Sequence, residues 1–238
     1  MRRYIRWFLL FIRKKIIRVG RLQFEFKILD DKIRVYQKAD DIKILMDGEY
    51  MHMSGMVFGS AGQENEEKKY LAEIIEENGS IIGYAANIFG ECDSEKVTLE
   101  GYTERLRFGD KVLRVHIPSD GAFTKELCDA SYEQAIEVVK QCYPEFDYKA
   151  ICCHSWMMEK RLRQIMRRDT NITRFADRYY VFPRKSSGDD VFTFLYHMHT
   201  RVSAEILPEK NSMQKAVKDY LREGKHIYEK GGCFFCNQ

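Results

Sequence analysis

His116 and His154 first suggest chemistry, because each stands near the C-terminal end of a segment patterned as a parallel strand, where open α/β sheets bind ligands. Strand alternation places Val112, Arg114 and His116 on one face of the first segment, and Cys152, His154 and Trp156 on one face of the second. If the two strands are neighbours, both imidazoles face a common crevice. An imidazole with an ordinary pKa near ~6.5 can accept a proton close to neutrality. Ser119 and Ser155 follow the two histidines closely and supply hydroxyl donors. The competing reading makes both histidines structural, bonded to loop carbonyls, with Ser155 capping the next helix and Trp156 anchoring the core.

The other reactive side chains point less clearly to a site. Cys152 and Cys153 lie in an apolar strand without the cationic or helix-terminal setting that makes a thiolate. Cys233 and Cys236 form a lone CxxC near residue 238; His226 would give only a third metal ligand, so these read as frayed terminal thiols. His197 and His199 share one face of a strand expected at 191–198, with no third ligand, and no metal site is expected. Arg174, Arg178 and Arg184 with Tyr179 and Tyr180 mix cations and aromatics as single-strand nucleic-acid binders do, but a sheet surface explains them as well.

Two kinds of pattern must position these residues. An amphipathic helix is expected from Ile5, Phe8, Leu9, Ile12 and Ile16, then strands at 19–28, 33–37, 42–46 and 50–58. A helix is expected at 64–78, closed by Gly79, and residues 80–95 show no clear period. From residue 96 strands alternate with helices: strands at 97–106, 112–117, 148–154, 172–182 and 191–198, helices at 124–142, 157–168 and 211–223, and a polar hairpin loop at 183–190. The fold class is therefore α/β, with a mixed sheet flanked by helices, mostly parallel in its second half. Residues 1–95 would hold an N-terminal helix, a small antiparallel strand region and one helix, and 96–238 the second domain, or the two one continuous unit.

Bulk properties narrow the function classes. In 238 residues, 45% are hydrophobic, enough for a sizeable core, and 39 basic against 36 acidic side chains give +3, no general bias toward nucleic acid. Seven cysteines, an odd number, without a cleavable leader pattern point to a reducing, cytoplasmic setting. The apolar run at 7–12 is too short to span a bilayer of about 20 residues. It reads as a basic amphipathic helix docked on the domain or a partner rather than on a membrane.

Residues 18–25 (RVGRLQFE), 115–118 (VHIP), 153–156 (CHSW) and 171–175 (NITRF) resemble a bacterial acyltransferase-like family with a C-terminal domain similar to GNAT N-acyltransferases. The resemblance covers nearly the whole chain. It implies two central parallel strands, 112–117 and 148–154, that splay to admit the pantetheine arm of acyl-CoA. It further implies that Val115 and Ile117 line that slot, and that Ser119, Gly121, Ala122 and Thr124 form the loop whose amides hold the pyrophosphate. His116, His154 and Ser155 would then be catalytic, moving an acyl group from acyl-CoA to the amine of a small molecule or peptide. The loop departs from the usual pattern, Gln or Arg, two residues, Gly, one residue, Gly or Ala: here Asp120 places negative charge beside the phosphates, with Arg114 or Lys125 available to compensate. Family members carry further helices upstream, which suggests self-association or partner docking through residues 4–17. The alternative function is a catalytically degenerate ligand-binding or interaction module on the same fold.

Overall fold

The computed structural model describes residues 15–51, 69–166, 169–184 and 186–236. In chain order the strands are β1 (Ile16–Val19), β2 (Leu22–Ile28), β3 (Ile33–Lys38), β4 (Asp41–Met46), β5 (Gly48–Met51), β6 (Lys69–Ala72), β7 (Ile75–Glu77), β8 (Ser80–Ala86), β9 (Cys92–Glu100), β10 (Thr103–Arg107) and β11 (Lys111–His116). Helix α1 (Lys125–Cys142) and β12 (Ala150–Ser155) follow, then short helices α2 (Leu162–Met166) and α3 (Asn171–Asp177), β13 (Tyr180–Pro183), α4 (Asp190–Leu195), α5 (Ser212–Arg222) and β14 (Lys230–Phe234).

One six-stranded mixed sheet runs β1-β2-β11-β12-β14-β13, and a second, antiparallel one runs β10-β3-β4-β8-β7 with β9 on β8. Leu113, Val115, Ile151 and Cys153 pack on Tyr132, Ala135 and Val139 of α1. Val112, Ala150, Cys152 and Cys233 pack on Ile33, Val35, Ile44 and Leu106 of the second sheet. The first sheet is thus covered on both faces, which is why Glu25, on the face expected to be polar, is buried.

Several elements differ from the sequence expectation for identifiable reasons. Residues 69–77 form β6 and β7 rather than a helix; Asn78 (φ 51°) and Gly79 (φ 81°) are consecutive left-handed residues that close a two-residue hairpin, with Glu77 opposite Ser80. Residues 80–95, expected to be irregular, supply β8 and the start of β9. The strand expected at 172–182 begins as α3, because Thr170 and Thr173 form a reciprocal capping box. The strand expected at 191–198 is α4: Val191, Phe192 and Tyr196 pack against Trp156, Leu162, Leu207, Val217 and Ile227, so tertiary burial overrides β propensity. With 191–198 helical and β13 antiparallel to β14, β11 and β12 form the one parallel pair of the first sheet among the described residues, and the expectation of a mostly parallel sheet is corrected.

The C-terminal thiols are corrected too. Cys233 is fully buried on β14, which lies between β12 and β13. Gly231 and Gly232 concealed that strand from a propensity reading, yet both are required: a Cβ at Gly231 would sit 2.0 Å from the Phe182 ring. The helix expected around 4–17 lies mostly outside the described residues, and its last turn is corrected, since Ile16 and Ile17 belong to β1.

Candidate active site

The parallel ladder between β11 and β12 pairs Val112 with Ala150 and ends at Val115 with Cys153. Past that point each strand keeps its outer neighbour: His116 stays opposite Gln23 of β2, while His154 and Ser155 stay opposite Gly231 and Lys230 of β14. The paired register of β11 and β12 stops one residue short of the histidines. Val115 lies in the last bonded pair with its side chain in the core, and Ile117 lies beyond it, half-buried.

The loop leaving β11 leads into the N-terminus of α1. Thr124 caps that helix, its hydroxyl accepting from the Leu127 amide at 3.3 Å. Leu127 is 45% exposed, because the buried stripe of α1 is Cys128, Ser131, Tyr132, Ala135 and Val139. Ser119, Gly121 and Ala122 are exposed in the loop.

The β1–β2 turn holds this loop from below. Arg21 donates from Nε to the Ala122 carbonyl at 2.8 Å and from Nη2 to the Pro118 carbonyl at 2.7 Å, and its amide donates to Ser131 Oγ at 2.8 Å. Its Nη1 is buried without a hydrogen-bond partner. Arg18 pairs with Asp120 at 2.8 Å, so the acid that threatened phosphate binding is neutralised locally. Arg114 and Lys125, the expected compensators, are engaged elsewhere, with Asp30 and Asp129, each at 2.5 Å. Arg18, Gly20, Arg21, Gly121, Ala122 and Ser131 line a pocket of about 310 Å³ at this loop.

Both histidines face the second sheet, with different partners. His116 Nε2 lies 2.9 Å from Glu25 Oε2. His154 Nε2 lies 2.8 Å from Asp31 Oδ2, and Arg184 Nη1 lies against both ring nitrogens, so the whole nitrogen edge of the ring is engaged. Burial holds the His154 pKa down to about 4 against the pull of Asp31, so the ring is neutral at neutral pH. Burial also opposes ionisation of Asp31, but the hydrogen bond from His154 and the charge of Arg184 outweigh it and keep that carboxyl below its ordinary value.

Asp30, Asp31 and His154 offer ligand atoms close enough for a cation. Arg114 on Asp30 and Arg184 on Asp31, at 3.1 Å, already neutralise the two carboxylates, so the arrangement suits an ion network better than a metal. Ser155 Oγ accepts from the Met157 amide at 3.1 Å and keeps its own proton to donate. Burial pushes the Cys153 and Cys233 thiols up to about 12, which leaves neither as a thiolate. His197 and His199 are exposed past the end of α4, where His197 takes a left-handed φ of 58°, and no strand carries them.

A neutral buried His154 has a measurable consequence. Between about pH 4 and the unfolded value near ~6.5 the unfolded chain binds the extra proton, so this contribution to stability is lost as pH falls through that window. Glu229, whose carboxyl burial and Asp190 push up to about 7, works in the opposite direction, so His154 is read by difference. Urea unfolding at pH 7 and pH 5 should show an acid loss about 2 kcal/mol larger in the wild type than in His154→Asn. Equal losses would mean that His154 is not held neutral.

Residues 16–234 match the family described as GNAT-like C-terminal domain. The chain belongs to that family. The GNAT-like domain is also similar to solved acyltransferase structures: one in complex with decanoyl-CoA (TM-score 0.58, 17% identity) and one with decanoyl-CoA and teicoplanin (TM-score 0.59, 16% identity). A third, with CoA and 10C-teicoplanin, matches at TM-score 0.59 and 15% identity. Each likeness covers 96% of this chain but about half of the other, 48% for the first and 49% for the next two. No curated protein matches the GNAT-like chain. At these identities the likeness establishes the mixed α/β fold. Arg21, Glu25 and Asp31, which tie the loop and the histidines in place, were not singled out as site residues by the sequence patterns, and Arg184 was noted only as one cation of a sheet surface.

Proposed function

We propose that this chain is an acyl-CoA-dependent acyltransferase that transfers an acyl group to an amine of a small molecule or peptide. The observation that carries the proposal is that the β11–β12 ladder ends at Val115 and Cys153, just before the Arg21-braced loop. The pantetheine arm enters between the ends of β11 and β12, flanked by Ile117. The pyrophosphate lies at the loop of Ser119, Gly121, Ala122 and Thr124, where the first amides of α1 have no helical acceptors. The unpartnered Nη1 of Arg21 supplies positive charge there. Structural neighbours holding decanoyl-CoA and CoA, two of them with a glycopeptide antibiotic, support this donor and an acceptor of that general size.

His116 takes the proton from the amine as its nitrogen attacks the thioester carbonyl. The tetrahedral species then collapses, the C–S bond breaks, Ser155 or Ser119 gives a proton to the departing thiolate and regains one from solvent, and His116 releases to solvent the proton it took. His154, with both nitrogens engaged, orients the sheet end and does not carry the proton. The reading is tested by thermal unfolding with acyl-CoAs of increasing chain length. A ligand at 100 times its dissociation constant adds about 2.7 kcal/mol, roughly 5–10 °C for a chain of this size. No shift with any acyl-CoA up to millimolar concentration would overturn the reading.

A further inference from the structure

We propose that the pocket between the β1–β2 turn and the flank of α1 holds the 3′-phosphorylated adenosine of acyl-CoA, with Arg18 reading the 3′-phosphate and Asp120 standing in for that phosphate in the free chain. This inference deepens the proposed function and rests on it for the identity of the donor. The pocket comes from the turn. Gly20 takes a left-handed φ of 56° and lies flush against α1, where a Cβ would sit 2.7 Å from Ser131 Oγ. That close approach sets Arg18 and Arg21 on one wall of the pocket, while Leu127, Ala130, Ser131 and Gln134 form the other, spaced as one stripe of the helix.

Size and chemistry select the occupant. About 310 Å³ lies at the lower end of small-molecule sites, roughly 300–1,000 Å³, so the pocket takes a nucleoside and not a whole acyl-CoA. Leu127, 45% exposed, gives the helix wall an apolar surface for a flat base. Arg21 is only 8% exposed, and its unpartnered Nη1 is a buried cationic donor that an anion would satisfy. Gly121 and Ala122 belong to this pocket as well as to the loop, so a nucleoside here continues outward from the pyrophosphate position.

Arg18 completes the charge pattern. Its Nη1 holds Asp120 Oδ2 at 2.8 Å and its Nε reaches the Gly20 carbonyl at 3.4 Å, with the Arg18 and Asp120 side chains 38% and 62% exposed. A pair this exposed contributes little. A phosphate, with more charge and a third oxygen, can take the guanidinium fork while Asp120 turns to solvent. Asp120 thus keeps Arg18 at the pocket in the free chain and makes binding depend on a ligand that carries the 3′-phosphate.

Calorimetric titration of the full chain with adenosine 3′,5′-bisphosphate and with AMP tests this. The bisphosphate should bind the wild type at least about 10-fold more tightly than AMP, the worth of a charge-assisted hydrogen bond. Arg18→Gln should abolish that preference while leaving AMP within a factor of about two, and Asp120→Asn should tighten bisphosphate binding about 2–5-fold by removing the competitor. Equal affinities in the wild type, no bisphosphate binding up to millimolar concentration, or an Arg18→Gln variant weakened alike toward both nucleotides would overturn the inference. So would an Asp120→Asn variant that binds the bisphosphate no better. Neither nucleotide carries a thioester, so the two readings fail separately. Bisphosphate binding without turnover of any acyl-CoA would count against the functional reading alone; turnover of acyl-CoA and its 3′-dephospho form with equal KM would count against this inference alone.

Discussion

Replacing His116 by Gln should lower kcat for acyl transfer by about 10²–10⁴-fold, the usual worth of a positioned general base, with KM for the acyl donor within a factor of about two. The separation follows from its place. His116 is held by Glu25 on the face toward the second sheet, whereas the proposed donor contacts lie at the loop beyond it. The residual rate should rise with pH through the pKa of the amine, because an acceptor that is already deprotonated no longer needs the imidazole. His154→Asn, by contrast, should reduce stability more than it reduces kcat. Equal kcat losses in the two variants would mean that the assignment of the proton acceptor is wrong.

Arg21→Met should weaken acyl-CoA binding by about 10–150-fold, the range expected when a charge-assisted hydrogen bond worth about 1.5–3 kcal/mol is lost. The side chain has two roles in one geometry: two of its nitrogens brace the Pro118 and Ala122 carbonyls, and the third is buried and unpartnered. Arg21→Lys keeps the charge but cannot reproduce the planar fork, so it should recover only part of the affinity. The informative control is an acyl-pantetheine that lacks the nucleotide and its phosphates. Its KM should be nearly the same in wild type and variant if Arg21 faces phosphate, and should rise as steeply as that of acyl-CoA if the variant merely collapses the loop.

Much of the scaffold could be read from periodicity. Strands β3, β4, β11 and β12 and helices α1 and α5 lie where alternation or a 3.6-residue stripe placed them, because each presents a continuous apolar face. What misled the reading were residues with two structural uses. Gly79 ends a helix or closes a hairpin with equal ease, and only its neighbour Asn78 at positive φ decides for the hairpin. Gly231 and Gly232 look like loop residues until the rings of Phe182 and Tyr179 are seen against them. Val191 and Phe192 favour strands locally but complete a helical cluster whose other members lie 35 residues upstream and up to 36 downstream, at Trp156 and Ile227.

The site was half legible. The histidines could be placed at strand ends because the strands themselves were periodic. Their partners could not, since the pairing of Glu25 with His116 and of Asp31 with His154 depends on which strands become neighbours, and that is set by sheet order. Arg21 stands in the 18–25 string with nothing near it in sequence to show a role; its bracing of the loop arises from the β1–β2 turn passing beneath α1.

Backbone amide exchange with and without a saturating medium-chain acyl-CoA tests the central claim most directly, because it reports where the carrier lies on the chain. Slowed exchange at residues 117–124 and at the end of β12 is the result expected if the carrier passes between the strand ends and rests its phosphates on the loop. Protection elsewhere, with 117–124 exchanging as fast as in the unliganded protein, would contradict it.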